Sequence, residues 1–130
     1  MVIDTSAIIA ILMSEPDAAA LAERMERAPE RVTSALVLIE AAARLSTMLD
    51  ADPRDVGERL RDFMDEADIV VAGLGGETAR LATEAFAIYG KGRGHPAQLN
   101  LADCMSYALA KQLGTTLLYK GDDFSRTDLA

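Results

Sequence analysis

Short apolar runs alternate with longer segments of helical periodicity along the whole chain, and this alternation restricts the possible folds more than any other feature. The apolar runs predict buried strands at residues 1–3, 31–33, 69–72 and 116–119. The intervening segments predict helices over 7–12, between Pro16 and Pro29, over 35–49, from Pro53 onward, over 77–89 and over 101–113. Strands separated by helices are typical of an α/β domain with a mostly parallel sheet. The length of 130 residues suits one core, so we predict a single domain over 1–130.

The same spacing predicts some details of burial and mobility. We expect Ala20 to be among the buried positions of the second helix, and Ile88 to lie on the buried side of the helix over 77–89. The stretch 90–100, GKGRGHPAQLN, is rich in glycine and basic residues, and we expect it to be a flexible loop.

The charge balance argues against one broad way of binding nucleic acid. Thirteen Lys and Arg residues stand against 21 Asp and Glu residues, so the formal net charge is −8. A field of this sign repels polyphosphates. Binding of a nucleic acid therefore needs a local positive feature, such as a bound cation.

The scarcity of cysteine and histidine limits the metal chemistry. The chain has one cysteine, Cys104, and one histidine, His95, which excludes a disulfide framework and a zinc site built on thiolates or imidazoles. Oxygen ligands remain, and these favour hard cations such as Mg²⁺ or Mn²⁺. The longest early apolar run, 7–13, is too short to span a bilayer and follows no basic segment. We therefore expect a soluble cytoplasmic protein without membrane contact.

Acidic residues stand where the predicted strands end. Asp4 directly follows the first strand, and Asp122 and Asp123 follow the last one. If both strands lie near the middle of the sheet, their carboxylates converge at one edge of it. Glu40 has only apolar neighbours in ALVLIEAAA, and Asp103 occupies the first turn of its helix. A carboxylate in apolar surroundings must be paired, protonated or bound to a metal.

Each of these acids also has an ordinary structural explanation when it is considered alone. Asp4 can cap the first helix, and Asp103 can compensate the dipole of its own helix. Asp122 and Asp123 can be turn residues, and Glu40 can form a surface ion pair with an arginine one turn later. Considered together, the acids would repel one another unless a cation were bound. Metal-assisted hydrolysis at phosphorus matches such a cluster better than a nucleophilic triad does.

Four parts of the chain, in this order, resemble the PIN-domain ribonucleases and specifically the VapC toxins of bacterial toxin–antitoxin pairs. They are MVIDTSA at 1–7, Glu40 in its apolar helix, LNLADCMSYALA at 99–110, and LLYKGDDF at 117–124 followed by Thr127 and Asp128. Each part alone is modestly specific, whereas four in register over nearly the whole chain are highly specific.

The resemblance implies a three-layer α/β/α fold and an endonuclease that cleaves RNA with Mg²⁺ or, as a substitute, Mn²⁺. It implies that Asp4 and Asp103 are the main metal ligands and that Glu40 completes the catalytic cluster. The pattern Lys-Gly-any-Asp-Phe favours Asp123 as the fourth acid, while Asp122 can share or replace its role. The hydroxyls of the two residues after Asp4 are expected either to support the site through hydrogen bonds or to act only as helix caps.

The resemblance also implies macromolecular partners. We expect a homodimer that binds a cognate VapB antitoxin, can assemble further with it, and contacts operator DNA only through it. The antitoxin's C-terminal segment is expected to lie across the acidic site. The basic side chains expected to contact RNA phosphates are Lys91, Arg93, His95 and Lys120, although those in the loop can equally be solvated.

Three functions are therefore compared. The leading one is a Mg²⁺-dependent endoribonuclease toxin of a VapBC pair. The first alternative is a catalytically weak PIN binding module that acts mainly in an antitoxin complex repressing its own operator. The second alternative is a metal-dependent phosphatase that acts on small substrates. All four acidic positions are filled, and this argues against a degenerate site.

Overall fold

Four strands and six helices alternate along the chain in the computed structural model, which confirms the predicted α/β class. The structure describes residues 1–130. In chain order the elements are β1 (Val2–Ile3), α1 (Thr5–Leu12), α2 (Ala18–Arg27), β2 (Arg31–Ser34), α3 (Ala35–Leu49), α4 (Pro53–Glu66), β3 (Ile69–Ala72), α5 (Gly76–Tyr89), α6 (Leu101–Leu113) and β4 (Leu117–Leu118). A short 3₁₀ turn follows at Phe124–Arg126. None of the helices is long and apolar enough to cross a membrane.

The sheet is entirely parallel and has the strand order β3-β2-β1-β4. β1 is internal, because Val2 pairs with Val32 of β2 on one side and with Leu117 of β4 on the other. β4 lies at the edge, so of the first and last strands only the first lies near the middle of the sheet. The two strands are nonetheless neighbours, and the backbone N–H of Asp4 donates to the carbonyl of Leu118 over 3.0 Å. Their carboxyl ends therefore adjoin.

Alternating side chains of β1 and β4 face two separate apolar cores. Ile3 and Leu118 belong to a core of 16 buried residues, contributed mainly by α1 to α4. Val2 and Leu117 belong to a second core of 12 buried residues, contributed mainly by α5 and α6. Because successive strand side chains point to opposite faces, this division places helices on both faces of the sheet. The arrangement is the three-layer α/β/α fold that the resemblance implies.

Side-chain caps fix where three of the helices begin. The carboxylate of Asp4 accepts a hydrogen bond from the backbone N–H of Ser6 over 3.0 Å at the start of α1. Ser34 caps α3 in the same way, over 3.2 Å. At α6, Asn100 and Asp103 each accept a hydrogen bond from the other's backbone N–H, which forms a capping box. These caps satisfy backbone donors that would otherwise lack partners in the first helical turn.

Two helix positions are exposed although they were expected to be buried. Ala20 is exposed because Leu21 and Met25, one turn apart, form the buried stripe of α2. Ile88 is 56% exposed, because the buried stripe of α5 includes Ala82 and Ala85. At 3.6 residues per turn, Ile88 lies about 120° around the helix from Ala82. Its side chain therefore faces solvent.

The loop over 90–100 is anchored to the body of the protein near both of its ends, and its expected flexibility stays a prediction. The backbone N–H of Leu99 donates to the carbonyl of Tyr89 over 2.9 Å, and that of Lys91 donates to the carbonyl of Leu99 over 2.8 Å. The side chains of Ala97 and Leu99 are fully buried in the second core. The glycines and basic residues therefore lie in the part of the loop before Ala97, and the segment from Ala97 to Leu99 is anchored.

Candidate active site

Five acidic and two basic side chains line one pocket of about 350 Å³ at the carboxyl ends of β1 and β4. The acids are Asp4, Glu15, Glu40, Asp103 and Asp123, and the basic residues are Arg44 and Lys120. The acids come from five different places in the chain: the end of β1, the segment after α1, the middle of α3, the first turn of α6 and the segment after β4. Four of the five acids singled out from the sequence therefore meet in one pocket.

Asp4 is held more tightly than any other acid of the pocket. Its side chain is only 4% exposed and accepts three hydrogen bonds. Two reach one carboxylate oxygen, from the backbone N–H and the hydroxyl of Ser6, over 3.0 and 2.7 Å. The third reaches the other oxygen from the Ser106 hydroxyl of α6, over 2.8 Å. Asp4 is thus a helix cap and a site residue at once, and its orientation is fixed from two elements.

Asp103 shows that the acids influence one another electrostatically. Its carboxylate accepts a hydrogen bond from the backbone N–H of Asn100 over 3.0 Å. Burial and, to a lesser extent, the negative charges of Asp4, Asp123 and Glu40 raise the pKa of Asp103 to about 6, while the Asn100 hydrogen bond opposes the rise. The helix-capping explanation of Asp103 is therefore correct but incomplete, because the same carboxylate also faces three other acids.

Glu40 reaches the pocket from the middle of α3. Its side chain is 25% exposed, and Arg44 one turn later places a guanidinium nitrogen 4.0 Å from one carboxylate oxygen. The surface ion pair considered from the sequence is therefore present only as a long contact. Both side chains line the same pocket, so Arg44 contributes positive charge beside the acids.

The two acids after β4 differ in position. Asp123 lines the pocket, whereas Asp122 does not and instead offers its backbone carbonyl to the Ser125 hydroxyl over 2.6 Å. Gly121 between β4 and these residues has a φ of +94°, a conformation that favours glycine, and it turns the chain there. The structure therefore brings Asp123 to the other acids and leaves Asp122 outside. The functional choice between them stays a prediction.

Several residues of the pocket were not predicted from the sequence. Ser106 follows Asp103 by three residues, so its position on the same face of α6 was a readable signal. Glu15 had no such signal. Of the two hydroxyls after Asp4, that of Ser6 supports the site, whereas the buried hydroxyl of Thr5 has no hydrogen-bond partner.

Of the four basic residues expected to contact RNA, only Lys120 lines the pocket. Its ammonium group forms an ion pair with Glu15 and lies 3.4 Å from a carboxylate oxygen of Asp17. The other three belong to the loop over 90–100. Arg93 lies over the Phe86 ring at 5.1 Å, and His95 accepts a hydrogen bond from the backbone N–H of Ala97 over 3.1 Å. Lys91 is exposed, and this side chain remains free to meet a phosphate.

The donor set suits a hard divalent cation, although the ligands are not gathered tightly. No group of three or more Asp, Glu, His or Cys side chains is close enough in this arrangement to bind a metal ion. The available donors are nevertheless all oxygens, and repulsion from the neighbouring acids adds to burial in raising the pKa of Asp103. A cation would relieve that repulsion, and Mg²⁺ and Mn²⁺ prefer such ligands.

Comparison with known proteins identifies a family and a set of similar chains. The family described as PIN domain matches residues 1–129. The chain is 41% identical over 129 residues to "Ribonuclease VapC42" of Mycobacterium tuberculosis, covering 99% of this chain and 96% of that one. It is 44% identical over 127 residues to "Ribonuclease VapC28" of the same species, covering 98% and 93%. It is 41% identical over 138 residues to "VapC ribonuclease R02377" of Rhizobium meliloti, covering 98% and 97%.

Proposed function

Because this chain belongs to the PIN-domain family and within it to the VapC type, we propose that it is a Mg²⁺-dependent endoribonuclease toxin neutralised by a cognate VapB antitoxin. One structural observation supports this proposal in addition to the family membership. Asp4, Glu40, Asp103 and Asp123 come from four separate parts of the chain and line one pocket, where burial and the charges of the other three acids raise the pKa of Asp103. Such an arrangement is unfavourable for the free protein and suits a site that binds a cation and a phosphodiester.

Asp4 and Asp103 are the residues that would hold the metal. When bound, the cation would polarise a phosphate oxygen and make an attacking water more acidic. Mn²⁺ is expected to substitute for Mg²⁺ because it accepts the same oxygen ligands.

The remaining residues of the pocket orient and receive protons. Ser6 and Ser106 hold both oxygens of Asp4, so that carboxylate keeps its direction when a ligand enters. Glu40 and Asp123 are not bound in short ion pairs, and we assign to them the positioning of the attacking water and the acceptance of its proton. This role requires each to be ionised when the RNA is bound.

RNA binding is expected to depend on local positive charge. The net charge of −8 repels RNA in general, so we expect weak non-specific binding and cleavage that depends strongly on the cation. Lys120 at the pocket and Lys91 in the loop are the side chains we propose to meet phosphates. We propose that the protein acts in the cytoplasm, because the proposed substrate is cellular RNA.

The proposed partners follow from the family and from the charge of the pocket. A basic segment of a VapB antitoxin is complementary to a pocket with five acids and two basic residues. We further propose a homodimer that assembles with the antitoxin and meets operator DNA only through it.

The test combines cleavage of cellular RNA with metal removal. Purified protein should cleave RNA at specific sites with Mg²⁺ or Mn²⁺, and EDTA should abolish cleavage. Asp4→Asn and Asp103→Asn should lose activity while keeping the circular dichroism spectrum of the parent. Full cleavage in saturating EDTA would refute the proposal.

Co-expression with the upstream neighbouring reading frame tests the antitoxin. New RNA ends should appear in cells only when that neighbour is absent. If the protein binds no metal and cleaves no RNA, yet strengthens the binding of the partner to operator DNA, the alternative of a catalytically weak binding module is correct. Rapid hydrolysis of mononucleotides with RNA left intact would instead indicate a phosphatase.

A further inference from the structure

The position of Asp123 depends on the chain around it rather than on contacts of its own side chain. The carboxylate makes no capping hydrogen bond, and the residue is exposed at the pocket. On its N-terminal side, the backbone N–H of Lys120 donates to the Ser6 hydroxyl over 3.0 Å. The residues between, Gly121 and Asp122, are both exposed. The C-terminal side must therefore supply the remaining restraint.

The segment after Asp123 is anchored first by an aromatic side chain. Phe124 is 2% exposed, and its ring centre lies 5.2 Å from that of Tyr119. The hydroxyl of Thr127 then donates to the carbonyl of Phe124 over 2.7 Å, which closes the 3₁₀ turn. These contacts hold the turn against the second core but leave its far end to be fixed elsewhere.

Asp128 fixes that far end to α6 through both carboxylate oxygens. One oxygen accepts a hydrogen bond from the Tyr107 hydroxyl over 2.6 Å, and the other accepts one from the Lys111 ammonium over 2.9 Å. Residues 103, 107 and 111 are spaced four apart on α6, so they lie along one stripe of that helix. The helix that carries Asp103 at its first turn therefore also anchors the segment that carries Asp123.

Tyr107, one of the two anchor residues on α6, is itself packed. Tyr107 is 8% exposed, and its ring centre lies 5.6 Å from that of Tyr89 in α5. Burial and the hydrogen bond to Asp128 raise the pKa of Tyr107, so its hydroxyl remains a donor. The Tyr107 and Lys111 hydrogen bonds lower the pKa of Asp128, which keeps this acid ionised and able to accept both bonds.

We infer that Asp128 is a positioning residue for Asp123, with Tyr107 and Lys111 as its anchor on α6. The inference rests on the proposed function, in which Asp123 belongs to the metal-binding pocket. Since Phe124 still holds the turn when Asp128 is removed, the fold survives, but Asp123 gains freedom relative to Asp103. Asp123 lies beside the two proposed metal ligands and is not one of them, and outer groups of this kind affect both metal affinity and activity.

The experiment is a double-mutant cycle between Asp128 and Asp123, read by Mn²⁺ binding and by the kinetics of RNA cleavage. Asp128→Ala should raise the Mn²⁺ dissociation constant and lower kcat by about tenfold, the lower end of what such contacts contribute. The KM for RNA should stay within about twofold, because Asp128 does not reach the pocket. Asp128→Asn, which keeps an acceptor for Tyr107, should lie between Asp128→Ala and the parent.

The Asp123→Asn background separates positioning from general stability. If Asp128 acts through Asp123, Asp128→Ala should have no further effect on Mn²⁺ binding or kcat once Asp123→Asn is present. Tyr107→Phe keeps the packed ring while removing the donor, and it should reproduce part of the loss if Asp128→Ala folds poorly. Glu77→Ala is the matched control, because it removes two hydrogen bonds to Arg80, over 2.7 and 2.9 Å, at an exposed site outside the pocket. It should leave both readouts unchanged.

Two results would overturn the inference. The first is parental Mn²⁺ binding and kcat in a folded Asp128→Ala variant. The second is an effect of Asp128→Ala that persists at full size in the Asp123→Asn background. Wild-type protein that cleaves RNA fully in EDTA, or that binds no Mn²⁺, would refute the proposed function and the inference with it. Wild-type protein that binds Mn²⁺ but cleaves no RNA would refute only the endoribonuclease, and the Mn²⁺-binding cycle would still test Asp128.

Discussion

Replacing Asp103 with asparagine should stabilise the metal-free protein at pH 8, although it removes a side chain that we propose to be essential for cleavage. Asparagine keeps an oxygen that can accept the hydrogen bond from the backbone N–H of Asn100, so the cap of α6 is preserved. It removes the charge that burial and the neighbouring acids oppose. RNA cleavage should therefore fall while the free energy of unfolding rises, as expected where a residue needed for function also destabilises the folded protein.

The size of the effect follows from the pKa of Asp103. A rise from 3.8 to about 6 corresponds to at most ~3 kcal/mol, at about 1.36 kcal/mol per pKa unit. Because the side chain is partly exposed, solvent screening reduces this to about 1.5 kcal/mol. The folded-state pKa is raised, so the carboxylate penalises folding above pH 6 and the penalty disappears as the pH falls below about 4. The advantage of asparagine should follow the same window.

Urea unfolding in EDTA at several pH values measures this difference. With a slope of about 1.5 kcal/mol per molar urea, the midpoint of Asp103→Asn should lie about 1 M above that of the wild type at pH 8. The two midpoints should converge near pH 4. Mg²⁺ at a hundred times its dissociation constant should reverse the order, since it stabilises the folded protein by about 2.7 kcal/mol and should bind only the wild type. Equal midpoints at pH 8, or a gap that does not change with pH, would refute the reasoning.

Four further substitutions test the pocket and the sheet. Asp123→Asn should lower kcat for RNA by about tenfold or more, whereas Asp122→Asn should stay within about twofold of the wild type; the reverse order would make Asp122 the fourth acid. Ser106→Ala leaves one oxygen of the buried Asp4 without its 2.8 Å hydrogen bond. It should lower the free energy of unfolding by roughly 1–3 kcal/mol in urea titrations and reduce cleavage. Unchanged cleavage would show that this bond does not orient Asp4. Leu118→Ala, at a fully buried position of β4, should lower the same free energy by roughly 2–5 kcal/mol; a smaller loss in thermal or urea unfolding would mean that the cavity collapses.

Helices and strands were predictable wherever local signals agreed. The predicted helix over 101–113 and the predicted strand over 69–72 match α6 and β3 in full. In α6 the cap, the apolar spacing and the final glycine, Gly114, all indicate the same boundaries. Ala20 and Ile88 were mistaken because a small or apolar residue beside a buried stripe carries no signal of which side it faces.

The acids were predictable as individuals because each stands in an unusual local setting. Glu40 among apolar neighbours and Asp4 directly after a strand are features of the sequence alone. Their neighbours in the pocket were not predictable in this way. Ser106 and Asp4 are 102 positions apart along the chain, so only folding makes them partners. Lys120 and Glu15 are 105 positions apart and meet for the same reason.

The sequence by itself determined the α/β class, the order of the elements and three acids of the pocket, with Asp122 and Asp123 both left open as the fourth, because these depend on periodicity and on neighbours within a few residues. The tertiary structure decided that β4 lies at the edge beside β1, that Asp123 rather than Asp122 reaches the pocket, and that Asp128 anchors the same segment to α6. Those outcomes depend on which distant backbone segments pack together. The sheet order and the two cores set the distances between such segments. Residues within a few positions of one another carry no information about those distances.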